Sequence, residues 1–233
     1  MASPAYDNLS TGSFSATTTK TVSHTPVSVV NGIVFACLTF DSSSPTNPGI
    51  TYNGVAMTLL TTKSDPTTGE KFYWFYLIAP PSGAKNAIAS WTNNGTGWLH
   101  VYTYINVDQI SPLGTPVTAS GNGTTPTVTV TGTTSGNLVL DQACGSSTLT
   151  SCAQTQRYRE TTIQTAGASE KAGGGSVVMS WGAGTINWAI GAVELKALST
   201  PVNLKTFNGL AKASLKTING LAMGSVKTIN SLT

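Results

Sequence analysis

The sequence has few charged residues. Only 9% of its 233 residues are Asp, Glu, Lys or Arg, against roughly a quarter in an average soluble domain. Hydroxyl and amide side chains take their place, which suits a protein that lies in an assembly or meets neutral polar ligands. Residues 201–233 carry four lysines and no acid. Because these lysines are spread out and lack arginine, they do not form the clustered patch of a nucleic-acid-binding protein, and nucleic acid is not an expected partner.

Long hydrophobic runs are also absent. No apolar stretch approaches the ~18–20 residues that a membrane-spanning helix needs, so no membrane is expected as a partner. The N-terminal sequence MASPAYDNLSTGSFSATTTK has neither the basic segment nor the apolar segment of a secretion signal. We therefore expect the chain to be made in the cytoplasm and to leave it only as part of an assembly.

Cysteine and histidine are scarce. Three cysteines do not make a disulfide framework, and two histidines without zinc-ligand spacing argue against a metal centre. Cys37 lies in the apolar run GIVFACLTF and is predicted to be a small buried residue. Cys144 and Cys152 bracket the loop GSSTLTS, where they either close a disulfide in an oxidising medium or stay as two thiols. Neither a metal nor a cofactor is expected.

Short β-branched or aromatic runs fill the first 200 residues, separated by the Gly, Pro, Asn, Asp and Ser clusters that favour turns. About eleven such strands indicate an all-β fold, a β-sandwich of the jelly-roll kind. Among them, Ala87–Trp91 and Leu99–Val107 flank the predicted turn TNNGTG, and FYWFYLI predicts a central strand covered on both faces. We predict an N-terminal arm (1–19), the β-sandwich domain (20–199) and a repetitive extended tail (200–233).

The tail is built from an 11-residue repeat, LKTFNGLAKAS, LKTINGLAMGS and VKTINSLT. Thr, Asn and Gly in each full repeat disfavour a helix, whereas Asn-Gly favours a two-residue hairpin turn. The repeat therefore predicts short extended segments joined by turns. Because isolated hairpins are marginal in water, the apolar positions are expected to bury against a partner surface, either identical subunits or a neighbouring protein. These assembly residues are Leu204, Phe207, Leu210, Leu215, Ile218, Leu221, Val226 and Ile229.

No catalytic pattern is present among the acidic residues. A glycosidase needs two carboxylates that face each other across a cleft, and Glu160 and Glu170 are a pair that the sequence leaves open. Asp41, Asp65 and Asp108 all occupy contexts in which Asp caps a turn.

The two histidines also lack a catalytic context. His24 and His100 lie in strand segments without the GxSxG sequence that surrounds a nucleophile. Both are predicted to be hydrogen-bonded strand residues. The chain is therefore predicted to be non-enzymatic.

Three tryptophans are the candidate ligand-binding residues. Trp91, Trp98 and Trp181 lie at or near strand ends beside polar loops. An exposed aromatic ring at a loop can stack on the apolar face of a sugar. The alternative is that these rings fill the ends of the sandwich core.

The stretch from Val22 to Lys196 carries the segments VSHTPVSVVNGIVFACLTF, ITYNGVAMTLL, FYWFYLIAPPSG, VDQISPLG and NWAIGAVELK. In these segments it resembles a widespread β-sandwich module of phage virion proteins and bacterial surface proteins. The KTINGLA-type tail is similar to terminal repeats of phage structural proteins. The matching segments are core strands and turns, so the resemblance carries over no catalytic residue.

The resemblance implies a non-enzymatic virion protein: a capsid decoration protein, a head fibre or a tail-associated protein, attached through its terminal segments. The expected partners are capsid or tail proteins and further copies of the chain, with a trimer as the expected oligomer. The alternative function is a carbohydrate-binding module or receptor-binding adhesin that recognises host-surface glycans through its loop tryptophans.

Overall fold

The structure, a computed structural model, describes residues 2–42, 44–198, 206–207, 210–211, 217–218 and 221–222. These residues form strands, turns and loops and contain no helix, which confirms the predicted all-β sandwich. The chain divides into a body (Met1–Leu198) and a tail unit (Ser199–Thr233). The strands of the body are β1 (Ala5–His24), β2 (Ile33–Phe40), β3 (Thr46–Tyr52), β4 (Val55–Ala56), β5 (Thr58–Ser64), β6 (Lys71–Ile78), β7 (Lys85–Ile105), β8 (Val117–Gly123), β9 (Thr127–Thr133), β10 (Leu138–Gly145), β11 (Leu149–Cys152), β12 (Thr155–Glu160), β13 (Thr165–Ala172), β14 (Gly175–Ala183) and β15 (Ile186–Leu195).

A long antiparallel ribbon of β1 and β7 shapes the first sheet, whose order is β4-β3-β7-β2-β6-β5 with β1 on β7. β2 pairs with the second half of β7 and β3 with its first half. The ribbon doubles back on itself. Ser10 Oγ lies 3.0 Å from His24 Nδ1, whereas a straight strand would separate these two residues by about 46 Å. The sheet therefore folds over itself and encloses a core of its own.

The second sheet, of order β12-β13-β10-β15-β8, packs on the first, and the third, of order β11-β14-β9, packs on the second. Three apolar cores result. The N-terminal core lies inside the folded first sheet, the central core between the first and second sheets, and the C-terminal core between the second and third. Their defining residues are Phe40, Tyr52 and Leu99 (N-terminal), Phe35, Trp74 and Leu140 (central), and Val139, Met179 and Trp181 (C-terminal).

Strands that separate two cores are apolar on both faces. In β2, Phe35 and Cys37 face the central core while Val34 and Leu38 face the N-terminal core, and all are buried. This confirms the prediction for Cys37. The FYWFYLI run forms most of β6, between β2 and β5. Its rings divide between the same two cores, so the predicted central strand is confirmed.

The structure differs from the sequence prediction at two places in the first sheet. The predicted arm over residues 1–19 lies mostly within β1, where Phe14 packs in the N-terminal core. Its Ser- and Thr-rich composition is typical of a loop, but β7 supplies backbone partners along its length. The predicted turn TNNGTG lies inside the continuous strand β7. Asn93 with φ of 63° and Gly97 bend the ribbon there without ending it.

In the tail unit, two pairs of short strands follow the predicted 11-residue period. β16 (Thr206–Phe207) pairs with β17 (Leu210–Ala211), and β18 (Thr217–Ile218) pairs with β19 (Leu221–Ala222). Both pairs have the same antiparallel register, in which the second residue of one strand faces the first residue of the next.

The body has two opposite ends. We call one the tail end, because Leu198, the last body residue, donates its N–H to Asn106 O at 2.9 Å there. β2 and β10 begin at this end, and β6 and β15 finish there. The distal end holds the other termini of these strands. At the distal end the Gln164 amide donates to Phe40 O, which joins the second sheet to the first.

Candidate interaction surfaces

Two of the three tryptophans predicted to bind a ligand are core residues. Trp91 is buried in the N-terminal core and donates its indole N–H to Thr17 O at 3.0 Å. Trp181 is buried in the C-terminal core and donates to Asp141 Oδ2 at 3.1 Å. Neither ring has a face open to a ligand. This placement differs from the stacking prediction and matches the alternative, in which the rings fill the cores.

Trp98 is the predicted ligand-binding residue that remains partly exposed. It lies on the part of β7 that is near the distal end of the body. Its ring centroid is 5.9 Å from that of His100. His100 is buried and stacks on Tyr158 at 3.8 Å between centroids, and its Nε2 is 3.6 Å from Glu160 Oε1. Burial lowers the pKa of His100, although Glu160 opposes this shift. Ligand binding by Trp98 stays a prediction.

The structure does not bring Glu160 and Glu170 together. They lie at opposite ends of the β12–β13 pair. Glu160 neighbours His100, whereas Glu170 accepts a hydrogen bond from Tyr104 Oη at 2.5 Å and forms an ion pair with Arg157. Each carboxylate therefore has its own partners, and the two do not line a shared cleft.

Several polar residues have the structural roles predicted for them. Asp65 Oδ1 accepts the backbone N–H groups of residues 67–69 at 2.8–3.0 Å. Asp108 Oδ1 accepts those of residues 110–111 at 2.9 Å. His24 is hydrogen-bonded through both ring nitrogens to hydroxyl groups, and burial lowers its pKa to about 4. These residues hold turns and strands in place.

The three cysteines are free thiols. Cys37 and Cys144 are buried, and Cys152 is half-buried. Of the two alternatives for Cys144 and Cys152, the structure has the unpaired one. Burial raises the pKa of each of these thiols. At neutral pH they are therefore protonated and poorly reactive.

A polar pocket of about 220 Å³ opens at the distal end. Residues 145–148 and 161–165 line it together with Glu70. The lining is mostly hydroxyl groups, with one carboxyl from Glu70 and one amide from Gln164, both buried residues. Among the described residues, Gln164 Oε1 has no hydrogen-bond partner. The volume corresponds to about seven water molecules, so the pocket accommodates only a small polar group.

The carboxyl of Glu70 is neutral at pH 7. Burial raises its pKa to about 8, and the nearby Asp65 carboxylate adds to the shift. Thr68 Oγ1, at 3.4 Å from Glu70 Oε2, is the hydroxyl that opposes it. The pocket therefore presents hydroxyl groups, an amide and a protonated acid.

The stability of the body is expected to depend on pH through Glu70. The unfolded chain ionises near 4.5, whereas the folded chain keeps the proton up to about 8. The free energy of unfolding is therefore highest below pH 4.5. It falls by about 2 kcal/mol as the pH rises to 8, after allowance for solvent at the pocket mouth. Glu70→Gln should remove this loss, as measured by urea unfolding at a series of pH values. Parallel wild-type and Glu70→Gln profiles would contradict the assignment.

Three aliphatic side chains project into water at the tail end. Val27 is 83% exposed, Val30 64% and Ile110 93%, and together we call them the apolar tip. The loops that carry them are joined by backbone hydrogen bonds, among them the N–H of Val107 to Asn31 O at 2.9 Å. The tip is therefore a fixed surface on two neighbouring loops.

Carboxylates hold both loops of the apolar tip. Asp7 accepts the N–H of Val27 at 2.9 Å and of Ser28 at 3.0 Å. On the other loop, Asp108 accepts the N–H of Ile110. These hydrogen bonds fix the backbone of both loops. The aliphatic side chains are therefore held in water, where their hydration is unfavourable.

The residues predicted for assembly lie in the tail unit. Phe207 and Leu210 face each other in the first strand pair, and Ile218 and Leu221 in the second. The other four lie outside the described residues: Leu204, Leu215, Val226 and Ile229. Burial of these positions against other subunits stays a prediction.

Comparison of the chain with models of protein families, with curated proteins and with solved structures finds no match. Among the described residues, no helix has the length and apolar character to cross a membrane. Within the same residues, no group of three or more His, Cys, Asp and Glu side chains is placed to hold a metal ion. The geometry of the two ends therefore carries the functional argument.

Sequence reasoning missed both the pocket and the apolar tip. Glu70 and Gln164 are far apart along the chain, and only the stacking of the sheets brings them to one pocket. Val27, Val30 and Ile110 occur between turn-forming residues in TPVSVVNG and DQISP. An aliphatic residue inside a turn segment is the signal that could have indicated exposure.

Proposed function

We propose that this chain is a non-enzymatic structural protein of a phage virion, attached through its tail end and displaying the distal end. The observation that carries the proposal is the contrast between the two ends. One end carries the apolar tip and Leu198, after which the tail unit follows in the sequence, and the other presents a polar pocket and Trp98. Such a difference between the two ends is expected of a protein that is attached at one end and faces solvent at the other.

The composition of the tail supports attachment. Its repeats place apolar residues at regular intervals, yet each strand pair has only two residues per strand. Pairs of this size are not stable alone in water. A partner surface is therefore needed, and a virion supplies many identical ones. The low charge of the whole chain, 9%, also favours a protein packed among others.

We expect the full chain to be a component of purified virions of the phage that encodes it, and a chain ending at Leu198 to be lost from them. The measurement is mass spectrometry of gradient-purified particles. The shortened chain should still fold, because the body is a compact unit of its own, and circular dichroism checks this. Equal amounts of both chains on particles would exclude attachment through the tail. Absence of the full chain from particles would exclude the virion role.

A further inference from the structure

The apolar tip differs from the other exposed aliphatic residues of the body. Val55, Ile88 and Val178 are 43–50% exposed and lie on separate strands, as single apolar surface residues commonly do. The tip residues are more exposed, and their two loops are joined by backbone hydrogen bonds. Three strongly exposed aliphatic residues on two joined loops of a protein with little charge indicate an interaction site.

We propose that the apolar tip is a docking surface for a second copy of this chain. The inference rests on the proposed function, because it names one partner of the end that faces the particle.

The place of Leu198, the last residue of the body, indicates a second copy as the occupant. Residue 199 follows Leu198, and the Leu198 N–H is bonded to Asn106, which neighbours the tip loops. Copies that dock through their tips therefore bring together the Leu198 residues after which their tails follow. Each tail carries apolar repeats that it cannot bury alone. In docked copies, the apolar repeats of one tail can be buried against the other copy.

The tip is also compatible with itself, as a two-fold interface between identical copies requires. Its apolar side chains can meet identical side chains without loss. The charged groups beside it are bonded within the same end: Asp7 and Asp108 to backbone N–H groups, and Lys196 Nζ to Ser111 Oγ at 3.2 Å. No cluster of one sign of charge in these loops opposes self-association.

The size of the tip sets what it can do alone. Three aliphatic side chains offer on the order of half of the ~800 Å² per partner that a stable interface buries. The tip therefore needs the tails to complete the interface, and both parts are expected to be necessary for association of the full chain.

The test compares three full-length chains by sedimentation velocity over a range of concentrations. They are the wild type, the tip variant (Val27→Ser, Val30→Ser, Ile110→Ser) and a matched control (Val55→Ser, Ile88→Ser, Val178→Ser). We expect the wild type to self-associate and the tip variant to have a dissociation constant at least about 100-fold higher. The control should stay within about threefold of the wild type. Thermal unfolding checks that all three are folded.

Three outcomes would overturn the inference: a monomeric wild type, a tip variant that associates as the wild type does, or equal weakening by the control. A monomeric wild type that is still found on virions would overturn this inference alone and leave the proposed function standing. Association through the tip in a chain that is absent from virions would reject the proposed function and keep the self-docking surface.

Discussion

Replacing Trp181 with alanine is expected to lower the free energy of unfolding of the body by about 4 kcal/mol. The indole is buried in the C-terminal core, which joins the second and third sheets. Its ring packs on the backbone of Gly167, where an added Cβ would lie 2.7 Å from Trp181 Cη2. Removal leaves a cavity that the neighbouring strands cannot close without breaking their ladders. Urea unfolding followed by circular dichroism measures the loss.

Two further variants separate the contributions. Trp181→Phe keeps most of the apolar volume but removes the N–H that Asp141 accepts, and we expect it to cost about 1–2 kcal/mol. Asp141 retains Ser169 as a donor through its N–H and its hydroxyl. Trp98→Ala is the matched control, because Trp98 is half-buried and its indole N–H has no hydrogen-bond partner. A loss in Trp181→Ala no larger than in Trp98→Ala would contradict this account.

Gly97→Ala is expected to destabilise the body by about 3 kcal/mol or more. Gly97 lies where the β1–β7 ribbon bends, opposite Phe14 and Phe40. A Cβ at this position would lie 1.9 Å from Thr39 O, a backbone atom of β2 that cannot rotate away. The pairing of the last residues of β2 with β7 must therefore shift. A thermal melt followed by circular dichroism gives the size of the effect.

Gly49→Ala is the control for this substitution. Gly49 lies on β3 in the same sheet, and an added Cβ would meet no atom within 4 Å. We expect its free energy of unfolding to stay within about 0.5 kcal/mol of the wild type. Equal stability of Gly97→Ala and Gly49→Ala would show that the backbone at the bend adapts, and would contradict the steric argument.

The sequence predicted the elements with the most apolar side chains best. β2, β6 and β15 are buried on both faces, so their continuous apolar runs are unambiguous. β1 was missed because alternation of Ser and Thr is equally typical of a loop. Its strand character comes from a partner far along the chain, which local composition does not encode.

The candidate surfaces were harder to predict for the same reason. Trp91 and Trp98 lie on the same strand, yet one fills a core and the other is partly exposed. The difference arises from the fold of the ribbon, which encloses the first and leaves the second towards the distal end. Glu70 and Gln164 likewise meet only through the stacking of two sheets. Residue type identified candidates, and long-range packing decided among them.

The pairing of β1 with β7 sets the order in which the chain can fold. Ala5 pairs with Ile105, so the first strand emerges from the ribosome several seconds before its partner, at ~5–20 residues per second. During that interval β1 has no native ladder. A nascent segment rich in Val and Ile would be prone to aggregate while it waits, whereas hydroxyl side chains keep it hydrated. The composition that made β1 resemble an arm is thus suited to a strand that must pair late.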